Sequence, residues 1–364
     1  MEPILEHKRN AAQGATPPLP ITYHCVLGAA GMTELRETIE GRTGPGRLEG
    51  LDALRAIAAL MVAVMHMNHV NHDGHAFARA YLAVDLFFVL SGYVMARTYE
   101  AKFAGGLTSI RFTALRLRRL WPTMAAGALI GMAAFWGRFD AGESLRIVIM
   151  AMLFLPQVNP PHSSFPTNPP AWSILFEIFA NIAHVVVLRR LGMRSLTAMA
   201  LACAATLAIF APDMNVGEAA GNMWLGVPRV LFSYCAGIII WRWRGERALL
   251  PGWFGILMLP LALLGISGAP PGAQWLDFVF VFVLCPLIVL GGLAPLPFGR
   301  LVLRQLGAIS FPLYAVHFPL TMLLLFNGFG TLAALPVSLG AALLLWFILD
   351  RCGKAFRRRR AIAA

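Results

Sequence analysis

Residues 51–71 read LDALRAIAALMVAVMHMNHVN, an apolar run with an arginine and a histidine embedded in it. About 20 consecutive apolar residues suffice for a helix to cross a bilayer. Arg55 and His66 stand eleven residues apart, roughly three turns and ~16 Å of helix. They therefore share one helix face. An ionisable group in hydrocarbon is costly and marks function rather than mere spanning. That face must look into protein, which one helix cannot supply alone, so the stretch predicts a bundle.

The rest of the chain agrees. Of 364 residues, 58% are hydrophobic and only 13% charged, with a mean hydropathy of +0.67. A soluble domain is about half apolar and a quarter charged. Apolar spans are read at 51–71, 81–96, 120–137, 144–158, 171–188, 196–212, 224–241, 252–267, 275–293, 307–326 and 331–349. The predicted fold class is all-α, a polytopic membrane helix bundle. Residues 1–47 read as a partly disordered cytoplasmic tail, 48–350 as the membrane domain and 351–364 as a basic cytoplasmic tail. The start shows no secretory signal, and Met32 is a candidate alternative first residue.

The net charge of +12 sits in loops between apolar runs. The tendency of basic loops to stay inside explains this without nucleic acid. Arg97, Lys102, Arg111, Arg116, Arg118 and Arg119 fill the connection after the second span and place it in the cytoplasm. If all eleven spans crossed, RRLGMR (189–194), WRWRGER (241–247) and RCGKAFRRRR (351–360) would fall outside. Span 144–158 is the shortest, and a helix of about 15 residues covers only ~22 Å of a ~30 Å hydrocarbon core. Six prolines follow it between 156 and 170. With this span re-entrant or interfacial, every basic loop returns to the cytoplasm. PDMNVGE (212–218) and SGAPPGAQ (267–274) then fall outside. The expectation is about ten crossings, one re-entrant element and both termini in the cytoplasm.

Arg55, His66, Asp85, Glu177, His184, Arg229 and His317 all fall in or at the edge of spans. His66 and Glu177 are both expected in the outer half, where they can meet. Arg55, Arg116 and Arg119 form a separate basic group at the inner face, and the planar donors of arginine suit phosphate. Four histidines recur every third position from His66 to His75, but a three-residue step turns each ~60° from the last. They do not converge on a metal, and none is expected. His69 falls at a cavity mouth, and His72 and His75 in an external loop. The five cysteines show no paired spacing, so neither a disulfide framework nor a zinc site is expected.

The motifs, taken in order, resemble the membrane-bound acyltransferase-3 family. LDALRAIAALMVAVMH (51–66) resembles its first helix, with arginine, ten residues, then histidine. VDLFFVLSGYVMART (84–98) resembles its second, and RLRRLWP (116–122) its Arg-x-x-Arg stretch. AWSILFEIFANI (171–182) is similar to its Trp-Ser…Glu segment, PRVLFSYCAGIII (228–240) to an Arg…Gly helix, and ISFPLYAVHFPL (309–320) to a late Ser…Leu-Tyr…His-Pro motif. Two positions depart from the pattern. Ile178 stands where the family has a second glutamate, and Leu175 where it has a serine.

The resemblance implies transfer of an acyl group, acetyl foremost, from acyl-CoA to a hydroxyl of a sugar or polysaccharide precursor. It implies His66 as the catalytic histidine and Arg55, Arg116 and Arg119 as essential arginines. Glu177 would orient the His66 imidazole, and Arg229 and His317 are candidate substrate contacts. No cofactor is expected; acyl-CoA is a substrate, the acceptor a glycan or lipid-linked sugar, the setting a bacterial inner membrane. Asp85, Ser91 and Tyr314 read as structural. Two other readings compete: a transporter or exporter of small organic anions, and a non-catalytic partner in polysaccharide assembly.

Overall fold

The computed structural model describes residues 46–71, 76–157, 163–296 and 299–362. Residues 1–45, and with them the expected N-terminal tail, lie outside the described residues, as do His72 and His75. Among the described residues eleven α-helices follow one another: α1 (Glu49–Asn71), α2 (Ala83–Ala104), α3 (Ser109–Ala134), α4 (Ala141–Met152), α5 (Trp172–Val186), α6 (Met193–Phe210), α7 (Gly226–Arg244), α8 (Gly252–Ser267), α9 (Trp275–Gly292), α10 (Arg300–Phe326) and α11 (Thr331–Ile362). The fold is the all-α membrane bundle that the sequence predicts.

Eight of these helices are both long and apolar enough to cross a membrane. Two more fall short on one count each. The first turns of α3 carry Arg111, Arg116, Arg118 and Arg119, and α8 is apolar but has only 16 residues. α3 begins eleven residues before the apolar run read from sequence, because arginine is a good helix former whatever its hydropathy. α11 likewise runs past the apolar span into the basic tail, with Lys354 paired to Asp350 one turn earlier at 2.6 Å.

α4 is the short helix within the span read from sequence as re-entrant. Its 12 residues rise only ~18 Å, and Asp140 caps its start by accepting from the Glu143 N–H at 2.8 Å. Carbonyls at a helix end inside the membrane need donors. The Trp121 indole N–H of α3 supplies one to Met152 O at 3.0 Å. The chain then turns at Phe154, whose φ is 58°, and returns along α3. Thr167 lies against Gly131 and Asn168 against Gly127. α5 therefore starts deep in the bundle, and this sets the depth of every residue that follows on it.

α1 and α10 pack together at the centre, flanked by α2, α3 and α11. α2 also packs along α7 through a reciprocal glycine contact. A Cβ at Gly92 would run into the Tyr234 carbonyl, and one at Gly237 into the Val89 carbonyl. Close backbone approach of this kind is how helices associate where lipid gives no hydrophobic drive. It explains the glycine of FFVLSG in packing terms.

A buried ion pair ties the same helices. Arg229 (1% exposed) donates through Nε and Nη2 to Asp85 (0%), with Nη2–Oδ2 at 2.7 Å. Its remaining donors reach Val216 O at 2.8 Å and Tyr81 O at 3.1 Å, and Ser233 Oγ adds a bond to Asp85. Asp85, read from sequence as structural, is held by Arg229 and Ser233. Arg229, expected as a substrate contact, has its donors engaged by Asp85, Val216 O and Tyr81 O in this structure.

Candidate active site

A cavity of about 1040 Å³ opens between α1, α2, α3, α5, α10 and α11. The RLRRL turns of α3 bring Arg116, Arg118 and Arg119 to it, α1 brings Asp52 and Arg55, the residues just before α1 bring Arg47, and α2 brings Ser91 and Arg97. α5 adds Ser173 and Glu177, and α11 closes one wall with Trp346, Leu349 and Asp350. Six guanidinium groups thus face three carboxylates, a formal excess of +3. Arg47 pairs with Asp52, and Arg97 with Glu246 at 2.6 Å. Among the described residues, Arg55 and Arg119 make no hydrogen bond or ion pair.

Glu177 accepts from Arg116 Nη2 at 2.8 Å and from Ser91 Oγ at 3.3 Å. The sequence reading expected it beside His66. The re-entrant connection explains the difference. A span starting at the outer face would put Glu177 in the outer half, but α5 begins at the level of Gly127 on α3. Glu177 therefore lands among the arginines. Arg116 is 6% exposed, and its Nε has no partner among the described residues.

His66 lies on α1 three turns beyond Arg55, as the spacing predicts. It does not line the cavity. Along α10 the cavity wall ends at Tyr314, with Phe87 packed edge-on against it at 5.7 Å between ring centres. Tyr314 Oη and Ser173 Oγ lie 2.7 Å apart, and both reach Pro170 O. One turn further along α10 stands His317, fully buried, whose Nε2 is 3.3 Å from His66 Nδ1. The His66 ring also meets Phe318 edge-on at 5.6 Å. His69, three residues further along α1, is exposed.

The structure therefore joins His66 to His317 and Glu177 to Arg116, with Arg55 and Arg119 in the same cavity. Arg229 stays apart. Ser91 and Tyr314, read as structural, line the cavity; Ser173, not singled out beforehand, does so too. His317 had a visible signal in the LYAVHFPL motif. Its partner did not, since the contact joins residues 251 positions apart.

These features define a multi-pass helical membrane protein with a cationic cavity leading toward a histidine pair. The acyltransferase domain of the acyltransferase-3 family matches residues 48–351, and the chain belongs to that family of membrane acyltransferases. A Rhizobium radiobacter protein described as "Protein 2 in picA locus" is 31% identical, over 37% of this chain and 79% of its own length. No solved structure matches the chain.

Proposed function

We propose that this acyltransferase moves an acyl group, acetyl foremost, from acyl-CoA to a hydroxyl of a sugar or polysaccharide precursor. The observation that carries the reading is the pairing of two sites on one face of α1. One is the cationic cavity around Arg55; the other is the histidine three turns beyond it. Acyl-CoA has phosphates at one end of a long flexible arm and a thioester at the other, and this arrangement suits it. Arg55 and Arg119 offer unspent donors, and Arg116 is held in place by Glu177. Arginine forks match phosphate oxygens. The volume of about 1040 Å³ lies just above the roughly 300–1,000 Å³ common for small-molecule sites.

The acceptor hydroxyl approaches from the opposite side. His66 takes its proton as the oxygen attacks the thioester carbonyl. The carbon–sulfur bond breaks, the oxygen–carbon bond forms, and the coenzyme thiolate leaves and recovers the proton. Tyr314, Ser173 and Phe87 form the layer the acyl end must pass. Glu177 acts on Arg116 in this reading, not on the imidazole.

The setting we propose is a bacterial inner membrane crossed ten times, α3 and α8 included, with both termini in the cytoplasm. Acyl-CoA made in the cytoplasm then meets the cavity directly. The test is turnover of labelled acetyl-CoA by isolated membranes, with label followed into the glycan and lipid-linked sugar fractions. Acyl transfer that depends on His66 supports the reading. Flux of the labelled acyl compound without transfer would support an exporter and overturn it.

A further inference from the structure

We propose that His317 is a positioning residue that, together with the Val62 carbonyl, fixes the tautomer of His66 and so leaves His66 Nε2 bare to act as the base. The inference rests on the reading of His66 as the base and adds how the fold keeps it ready. His317 Nδ1 lies 2.9 Å from Tyr314 O and 3.2 Å from Leu313 O. A carbonyl oxygen only accepts, so the hydrogen of neutral His317 sits on Nδ1. Its Nε2 then carries a lone pair and no hydrogen. That nitrogen faces His66 Nδ1 at 3.3 Å, and Val62 O faces the same His66 Nδ1 at 2.9 Å. Both neighbours are acceptors, so His66 Nδ1 must be the donor and carry the hydrogen. The lone pair of His66 is thereby assigned to Nε2, which makes no hydrogen bond among the described residues.

A carboxylate does this work in serine-hydrolase triads, holding the imidazole in the productive tautomer and orientation. Here the holder is a neutral imidazole, which avoids burying a second charge in the bundle. When Nε2 takes the acceptor proton, Nδ1–H keeps its two acceptors and the ring need not turn.

The turn that carries His317 is itself fixed. Pro319 has no N–H, so the Ala315 carbonyl loses its helical donor. Asn168 Nδ2, from the returning arm of the re-entrant element, replaces it at 3.0 Å. α3 comes so close at Gly127 that an added Cβ would lie 2.5 Å from the same carbonyl. Thr321 Oγ1 closes the next turn by donating to His317 O at 2.7 Å.

The test is the tautomer itself, read by nitrogen-15 NMR on histidine-labelled protein in micelles, with the His66 signals assigned through His66→Gln. Wild type is expected to show His66 protonated on Nδ1. His317→Gln, whose side-chain carbonyl still accepts, keeps that pattern. His317→Phe leaves Val62 O as the remaining acceptor at His66 Nδ1, so the Nδ1-protonated share falls measurably, and acetyl transfer from acetyl-CoA falls about tenfold in kcat with KM unchanged. A His66 tautomer that stays on Nδ1 in a folded His317→Phe protein overturns the inference. So does a wild type protonated on Nε2. Neither outcome depends on turnover, so each is separable from failure of the reading of His66 as the base, which would appear as a fully active His66→Gln.

Discussion

Replacing Asp85 by alanine tests whether Arg229 serves the fold or the substrate. The guanidinium is 1% exposed and the carboxylate 0%, so the variant leaves a buried cation with only Val216 O and Tyr81 O. Removing one partner of a buried, hydrogen-bonded pair costs about 3–5 kcal/mol. At about 2–4 °C per kcal/mol, the apparent melting midpoint should fall by roughly 10 °C. Arg229→Met strands the carboxylate and should cost a similar amount. The double variant Asp85→Leu/Arg229→Met removes both charges while keeping bulk, and should recover much of the loss. The assay is size-exclusion chromatography of detergent-solubilised, fluorescently tagged protein after graded heating, with acetyl-CoA affinity measured in parallel. Single variants that keep the wild-type midpoint but lose acetyl-CoA affinity tenfold would refute the structural assignment and restore the reading from sequence.

Arg116→Gln removes a charge-assisted donor from the cavity. At about 1.5–3 kcal/mol for such a bond, acetyl-CoA should bind roughly 10- to 100-fold more weakly, as isothermal titration of purified protein would show. Glu177→Gln should fall in the same direction by less, because Arg116 loses its anchor rather than its charge. Gly92→Ala and Gly237→Ala both force α2 and α7 apart, and each should lower the yield of monodisperse protein, whereas Gly105→Ala, with ordinary contacts only, should not. Cys352 is exposed at the cavity rim while Cys203, Cys235 and Cys285 are buried. In a Cys25→Ser background, a membrane-impermeant maleimide should label Cys352 in inside-out vesicles only, and acetyl-CoA should slow the labelling. Labelling of intact cells would invert the proposed topology.

Most of the architecture was legible because the bilayer imposes it. Length, apolarity and basic loops were enough to find the helices and to single out 144–158 as the stretch that turns back. Arg55 and His66 were legible as a pair because helical spacing is a local property. What depended on tertiary depth was not. Glu177 was placed by counting from the membrane surface, but α5 starts well inside the bundle, and the residue moved from the histidine to the arginines. Arg229 resembled a ligand because an intramembrane arginine usually is one, and only the approach of α2 shows Asp85 opposite it. The His66–His317 contact joins α1 to α10, and no local pattern announces it. Pro319, Asn168 and Gly127 form one lock on the α10 turn, yet each reads alone as an ordinary turn or packing residue.

On the proposed reading, His66 takes the acceptor proton in an acyl transfer fed from the cationic cavity. The most direct measurement is incorporation of labelled acetyl from acetyl-CoA into the glycan and lipid-linked sugar fractions of membranes carrying wild type or His66→Ala at equal, monodisperse levels. His66→Ala should lose at least a hundredfold, within the roughly 10²–10⁴-fold that general bases contribute, with acetyl-CoA binding retained. Incorporation at the wild-type rate by His66→Ala would contradict it.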